Sequence, residues 1–181
     1  MAEDLEVIGR RSSGLMHFVE RYRRLTDLPE AEPVRLKAVD LVERLDRLMG
    51  PMMAEAGVDY ASSVSPKRLA FDADAELLEQ ALINLLKNAL EAVRGRNGAA
   101  VRLGLSLLDD SQIAILVEDN GPGLPAEDPE AVFVPFYSTK AGGSGVGLTL
   151  ARQIALAHGG RLEHTPRPGG GAMFQLVLPY G

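Results

Sequence analysis

Three groups of residues in this sequence have types and spacings that could do chemistry. Asn84, Lys87, Asn88 and Glu91 recur at intervals of three and four, which places their side chains on one face of a helix. Apolar Leu78, Leu82, Leu85 and Ala89 take the other side. A polar helix face is usually just solvated, and Asn in mid-helix is mildly unfavourable because it prefers turns and caps. An amide oxygen is nevertheless a hard ligand suited to Mg2+, which keeps several waters and shares phosphate oxygens. The second group, Glu118-Asp119-Asn120-Gly121-Pro122-Gly123, directly follows an apolar stretch. A carboxylate at the end of a buried strand can accept a hydrogen bond from an exocyclic amine, and the glycines let the backbone approach a flat ring. Taken alone, an ordinary Gly-Pro turn explains that run equally well. The third group, Gly142-Gly143-Ser144-Gly145-Val146-Gly147, leads into a helix, where free N–H groups and the helix dipole suit a phosphate. It is not a P-loop, since no Lys-Ser or Lys-Thr follows, and no strand immediately precedes it as a dinucleotide fold requires.

These residues need elements to position them. Asp74 is predicted to cap a long helix that runs to about Arg94 and carries the two asparagines. Val101, Leu103, Leu105 and Leu107 alternate as in a half-buried strand, forming a hairpin with Ile113–Val117 across Asp109-Asp110-Ser111. A helix over about Leu148–Ala157 should stop at Gly159-Gly160. Arg161–His164 and Met173–Leu178 make a last strand pair around Gly169-Gly170-Gly171. Upstream lie a short strand at Val34–Ala38 and a helix from Asp40, its expected N-cap, to Met49. Gly50-Pro51 breaks that helix unless Met52–Glu55 continue it. Asp59–Val64 and Arg68–Phe71 read as strands around Ser65-Pro66. From about Asp4 to Asp27, Leu5, Ile8, Ser12, Leu15, Val19 and Tyr22 form one apolar seam at alternating spacings of three and four. Such a seam packs on its own domain or joins a dimeric bundle, and the regular spacing favours the bundle. The expected organisation is a helical arm over residues 1–28, a Pro-marked linker over 29–33 and an α/β domain over 34–181, in which a mixed sheet carries helices.

Composition narrows the function. The 181 residues suit one domain with an appendage, and 46% hydrophobic content is enough for a core. A net charge of -6 and a pI near 5.1 exclude a general nucleic-acid binder but not a nucleotide ligand held by backbone N–H groups and a cation. With no cysteine there is no disulfide framework and no thiolate metal site. No run approaches the roughly 18 apolar residues of a membrane helix. The expectation is a cytoplasmic chain without a membrane segment of its own.

Four motifs then agree in type, order and spacing. Leu82-Ile83-Asn84-Leu85-Leu86-Lys87-Asn88-Ala89 resembles the N box of sensor histidine kinases, and Asp119-Asn120-Gly121-Pro122-Gly123 resembles their G1 box. Phe133-Val134-Pro135-Phe136-Tyr137-Ser138-Thr139-Lys140 resembles the F box, and Gly143-Ser144-Gly145-Val146-Gly147-Leu148 the G2 box. From about Val34 to Pro179 the chain is thus similar to the ATP-binding domain of that family, whose superfamily includes DNA gyrase and the heat-shock chaperone and mismatch-repair ATPases. The arm most resembles nitrogen-regulation-type kinases.

The resemblance implies a two-layer sandwich, with helices on one face of the mixed sheet, that binds ATP or ADP with Mg2+. It implies that Asn88 ligates the metal and that Asn84 sits beside the phosphates. Asp119 would bind the adenine amino group, with Gly121 and Gly123 lining the base. Lys140 would reach the phosphates from a lid over about Leu124–Val146, and is paired with Asn84 as the catalytic set. Lys87, Gly143, Gly145, Val146, Gly147 and Leu148 complete the nucleotide-binding set, the N–H groups of Gly145, Gly147 and Leu148 cradling phosphate. The implied partners are a histidine-bearing dimerisation helix of a longer parent kinase, a response regulator and a second copy joined through the arm. An inner-membrane anchor in the parent, through segments this chain lacks, is compatible with the resemblance.

Two departures stand out. Ala172 and Met173 occupy positions where the family often has threonines, which puts a hydroxyl contact near adenine in doubt. The family's acceptor histidine is followed by an acidic residue, and none of His17, His158 and His164 has that neighbour; all three read as structural. A hydrolytic ATPase of the gyrase or chaperone kind would carry a Glu base where Asn84 stands, and an amide cannot take a proton from water. A nucleotide-binding interaction module without catalysis, or a serine kinase of the anti-sigma-factor type, would also make use of an ATP-binding domain.

Overall fold

The computed structural model describes residues 30–124, 129–137, 145–167 and 169–180. The expected arm over 1–28 lies outside the described residues, as do Lys140 and Gly143. In chain order the elements are β1 (Val34–Lys37), α1 (Ala38–Glu55), β2 (Asp59–Ser65), β3 (Ala70–Ala73), α2 (Ala75–Val93), β4 (Ala100–Leu107) and β5 (Gln112–Asp119). A 3-10 turn (Pro129–Phe133), α3 (Gly147–Ala157), β6 (Arg161–Pro166) and β7 (Ala172–Pro179) follow.

Five strands form one sheet in the order β2-β4-β5-β7-β6. β2 runs parallel to β4, and the other neighbours are antiparallel, so the sheet is mixed. Successive side chains alternate faces. One face buries Val101, Leu103 and Leu105 of β4, Ile113, Ile115 and Val117 of β5, and Phe174, Leu176 and Leu178 of β7. Leu41, Leu45, Met49 and Met53 of α1, Leu78, Leu82, Leu85 and Leu86 of α2, and Ile154 of α3 close over it in a single core cluster. Each such side chain contributes roughly 1.5–3 kcal/mol on burial. This is the expected sandwich of a mixed sheet and helices.

Upstream, one expectation changes and two open points are settled. Asp40 is not the N-cap of α1: Lys37 holds that position without a side-chain cap, and Asp40 sits in the first turn, where its charge suits the dipole. The helix also passes through Pro51 to Glu55. Proline costs a backbone bond there, yet Met49 and Met53 on either side are fully buried, and their packing carries the helix on. Finally, β3 does not pair with β2 across Ser65-Pro66. It pairs antiparallel with β1 in a separate two-stranded sheet that sets buried Leu36 opposite buried Phe71.

Asp74 caps α2 as its sequence position suggests. Its Oδ1 accepts the N–H groups of Glu76 and Leu77, both at 3.1 Å, and its Oδ2 accepts that of Glu32 at 3.2 Å. Its own N–H donates to His158 Nε2 at 3.0 Å, while His158 Nδ1 lies 2.8 Å from the carbonyl of Ile154. His158 thus accepts at one nitrogen and donates from the other, and it ties the end of α3 to the start of α2. This is a structural role, as its sequence context implies. The junction fixes the relative placement of the two helices that face the candidate site.

Candidate nucleotide-binding site

The site begins on α2. Its apolar side chains Leu82, Leu85, Leu86 and Ala89 are in the core. The 3.6-residue period leaves Asn84 and Asn88 half-buried at the edge of that packing and puts Lys87 and Glu91 in solvent. Gly147, the first residue of α3, lies over Asn84: a Cβ added there would be 3.6 Å from Asn84 Oδ1. The first and third sequence groups therefore meet in space.

The second group closes the other end. Asp119 ends β5 at 3% exposure, the register that buries Val117 carrying it to the core side. Its Oδ1 accepts the N–H of Gly121 at 2.7 Å and that of Ala172 at 3.3 Å. Position 172, which has no threonine hydroxyl to offer, thus contributes its backbone. The turn after Asp119 is pressed from two sides. A Cβ on Gly121 would stand 3.0 Å from Cβ of Ala92 on α2. Gly171 has φ +105, and a Cβ there would overlap the carbonyl oxygen of Asp119. Gly171 is a site-shaping residue that sequence reasoning passed over. Its signal is the glycine triplet, but only the β5–β7 pairing shows that the triplet abuts Asp119.

The third side is the base of the expected lid. Val132 and Phe133 of the 3-10 turn are buried, and Thr149 Oγ1 of α3 donates to the Phe133 carbonyl at 3.0 Å. Phe133 meets Phe174 edge-to-face at 6.3 Å, and the Arg152 guanidinium lies 4.8 Å over its ring while pairing with Glu130 at 2.9 Å. The N–H of Phe136 donates to the carbonyl of Gly145 at 2.9 Å, so the two sides of residues 138–144 are joined. The approach is tight: a Cβ on Gly145, which has φ +62, would be 2.5 Å from the carbonyl carbon of Phe136. Phe136 itself has φ 67, an uncommon value for a bulky residue. Val146 is buried at the N-cap of α3 and Leu148 is half-buried in its first turn. No acidic residue stands in that first turn, whose leading N–H groups have no acceptor within the helix.

Of the site residues read from the sequence, Gly147 meets Asn84 across α2 and α3, Asp119 bonds Gly121, Gly123 abuts Gly171 and Gly145 abuts Phe136, while Val146 and Leu148 lie on or beside α3 and Asn88 lies on α2. Lys87 is on the same helix but solvent-exposed. A model of the histidine kinase-, DNA gyrase B- and HSP90-like ATPase family matches residues 73–181, more than half the chain. The chain belongs to this ATPase family. It is 40% identical over 139 residues to the signal transduction histidine-protein kinase AtoS of Escherichia coli K12, covering 77% of this chain and 22% of that protein. It is 36% identical over 164 residues to the C4-dicarboxylate transport sensor protein DctS of Rhodobacter capsulatus, covering 87% and 24% respectively. The chain thus spans about a quarter of the length of these relatives. Among solved structures, the nucleotide-free catalytic domain of histidine kinase ThkA superposes with TM-score 0.75 at 27% identity, covering 82% of this chain and 96% of that one. Full-length ShkA in complex with AMPPNP gives TM-score 0.80 at 26% identity, covering 100% and 39%. Among the described residues of this ATPase, no helix is long and apolar enough to cross a membrane.

Proposed function

We propose that this chain is the ATP-binding catalytic part of a sensor histidine kinase, which delivers the γ-phosphoryl group of Mg·ATP to a histidine on a dimerisation helix. The observation that carries this reading is that α2 meets both other groups, Asn84 lying against Gly147 at the start of α3 and Ala92 against Gly121 of the Asp119 turn, with an amide where a hydrolytic relative has a carboxylate base. Phosphoryl transfer asks a protein mainly for positioning and charge stabilisation, and this cleft offers both.

Asp119 is the acceptor for the adenine amino group, its carboxylate pre-set by the N–H groups of Gly121 and Ala172. The N–H groups at Gly145, Gly147 and Leu148 hold phosphate oxygens at the start of α3. Asn88, half-buried one turn after Asn84 on α2, is the amide ligand for a hard cation that also takes phosphate oxygens. That Mg2+ would supply charge neutralisation on the phosphates when bound. Asn84 orients the phosphate chain, and Lys140 approaches it from the lid. ADP is the product. The histidine-bearing helix and a response regulator belong to the parent protein, and the arm over residues 1–28 is the element that packs with them or with a second copy. The expected setting is the cytoplasm.

The test is incubation with γ-labelled ATP, with and without a separate histidine-bearing hairpin from a related kinase. Acid-labile phosphate on the hairpin, and none on the chain alone, is expected. Release of phosphate to water without labelling of the hairpin would favour a hydrolytic ATPase. Label on the chain that vanishes in His17→Ala would place the acceptor in the arm.

A further inference from the structure

The geometry points to Asn120 as a positioning residue that holds Asp119 at a fixed distance from α2. This deepens, and rests on, the reading of Asp119 as the adenine acceptor. Asn120 does not face the cleft chemistry. Its Oδ1 accepts the N–H of Ala100, at the start of β4, at 2.9 Å. Its Nδ2 donates to the carbonyl of Gly98 at 2.7 Å, and its own N–H donates to the carbonyl of Ala100 at 3.2 Å. One side chain thus bonds both an N–H and a C=O of the segment that leads from α2 into β4. That segment departs from the last turn of α2, the turn whose Ala92 packs on Gly121.

The consequence follows from connectivity. α2 ends at Val93, and the link to β4 contains Gly95 and Gly98, both with positive φ. Glycine links are soft, because their backbone loses much freedom on ordering. Without Asn120 the end of α2 and the Asp119 turn would be joined by packing alone, Ala92 on Gly121 and Val93 in the core, with no side-chain hydrogen bond from the turn to the link that follows α2. With it, the link is bonded directly to the residue after Asp119. Asparagine is the side chain that can do this, since a single planar amide offers a donor and an acceptor side by side. Aspartate offers only acceptors. Asn120 therefore acts on the nucleotide through Asp119, and its removal should blur recognition of the adenine amine while leaving phosphate binding in place.

The experiment uses calorimetry on the full chain with Mg2+, comparing ATP with purine riboside 5′-triphosphate, which lacks the 6-amino group. Asp119→Asn should bring the two ligands to similar affinity. If ATP keeps its advantage in that variant, the reading of Asp119 fails, whatever Asn120 does. If Asp119→Asn behaves as expected, Asn120→Ala should weaken ATP about tenfold, the scale of one mis-set hydrogen bond to a charged group. The amine-free ligand should change by less than about twofold, because the groups at α3 are untouched. Asn120→Asp, which keeps the acceptor for Ala100 and loses the donor to Gly98, should fold normally and show a smaller loss of the same selective kind. Equal weakening of both ligands, as a general loosening of the fold would give, overturns the proposal. So does undiminished preference for ATP in both Asn120 variants.

Discussion

The two ends of the cleft are held by different means. At Asp119 the carboxylate is fixed by two backbone N–H groups, the following turn touches α2 through Gly121, and Gly171 leaves no room beside the Asp119 carbonyl. All of these groups belong to regular elements or abut them. At the lid end, the join is a backbone bond between Phe136 and Gly145, backed by Thr149 and by the Phe133–Arg152 stack. The first end is packed among core strands, so a substitution that forces its backbone apart disturbs folding. The second reaches the core through Val132, Phe133 and Leu150, but the Phe136–Gly145 join beyond them is a backbone bond that can open locally.

Two glycine substitutions test that contrast. Gly171→Ala puts a Cβ into the Asp119 carbonyl at a φ that side chains avoid. It should cost about 2–3 kcal/mol of stability, and ATP binding should be lost. Gly145→Ala also drives a Cβ into backbone, 2.5 Å from the Phe136 carbonyl carbon, but at the lid end. There ATP affinity should fall about tenfold while unfolding free energy changes by less than about 1 kcal/mol. Denaturant titrations and calorimetry on both variants give the answer. Equal stability losses would mean that the lid base is as much a part of the core as the Asp119 turn.

The lid end is harder to read from the sequence than the Asp119 end, for the same reason. Asp119 follows an alternating apolar strand, and alternation reports which face is buried. Asn84 and Asn88 recur at helical spacing on the polar side of an amphipathic helix. Those are local periodicities, and the structure keeps them. What stays hidden depends on pairing between distant segments. Nothing local says that β3 joins β1 or that Gly171 lies against Asp119. The same holds for Asn120, whose bonds to Gly98 and Ala100 cross from one element to another. The polar face of α1 suggests Asp40 as a cap, but the chain enters the helix three residues earlier because β1 leads straight into it.

A smaller effect belongs to the junction that orients both ends. Burial pulls the Asp74 pKa up, but the N–H groups of Leu77, Glu32 and Glu76 and the nearby His158 more than offset it, leaving the carboxyl below its ordinary value. A carboxylate depressed in the folded state adds stability that is complete above its unfolded pKa and is lost as pH falls through the folded one. Asp74→Ala should therefore cost about 1 kcal/mol at neutral pH, the usual value of a cap. The difference from wild type should shrink below about pH 4. Thermal unfolding at several pH values checks this. A constant difference down to about pH 2 would mean that the cap does not act as a carboxylate.

The smallest expected effect tests whether the lid end has any buried ionisable support. His164 lies on β6 with its ring 5.2 Å from that of Phe174, which in turn packs on Phe133. Among the described residues neither ring nitrogen finds a hydrogen-bond partner, and both are shielded from solvent. Burial lowers its pKa, against the opposing pull of Asp119 and Glu130. For a base whose folded pKa is depressed, the unfolded chain takes up a proton first as pH falls. Folding therefore weakens once pH drops below the ordinary histidine value of about 6.5, and nothing is lost above it. His164→Leu removes the group that must stay neutral. It should flatten the decline in stability between about pH 7 and 5 and leave stability at about pH 8 nearly unchanged. On the proposed reading, in which Phe133 lies at the base of an ATP lid, ATP affinity in wild type should weaken over the same interval more than in His164→Leu. Parallel pH profiles for the two proteins would show that the lid end is indifferent to this histidine and that the decline arises elsewhere.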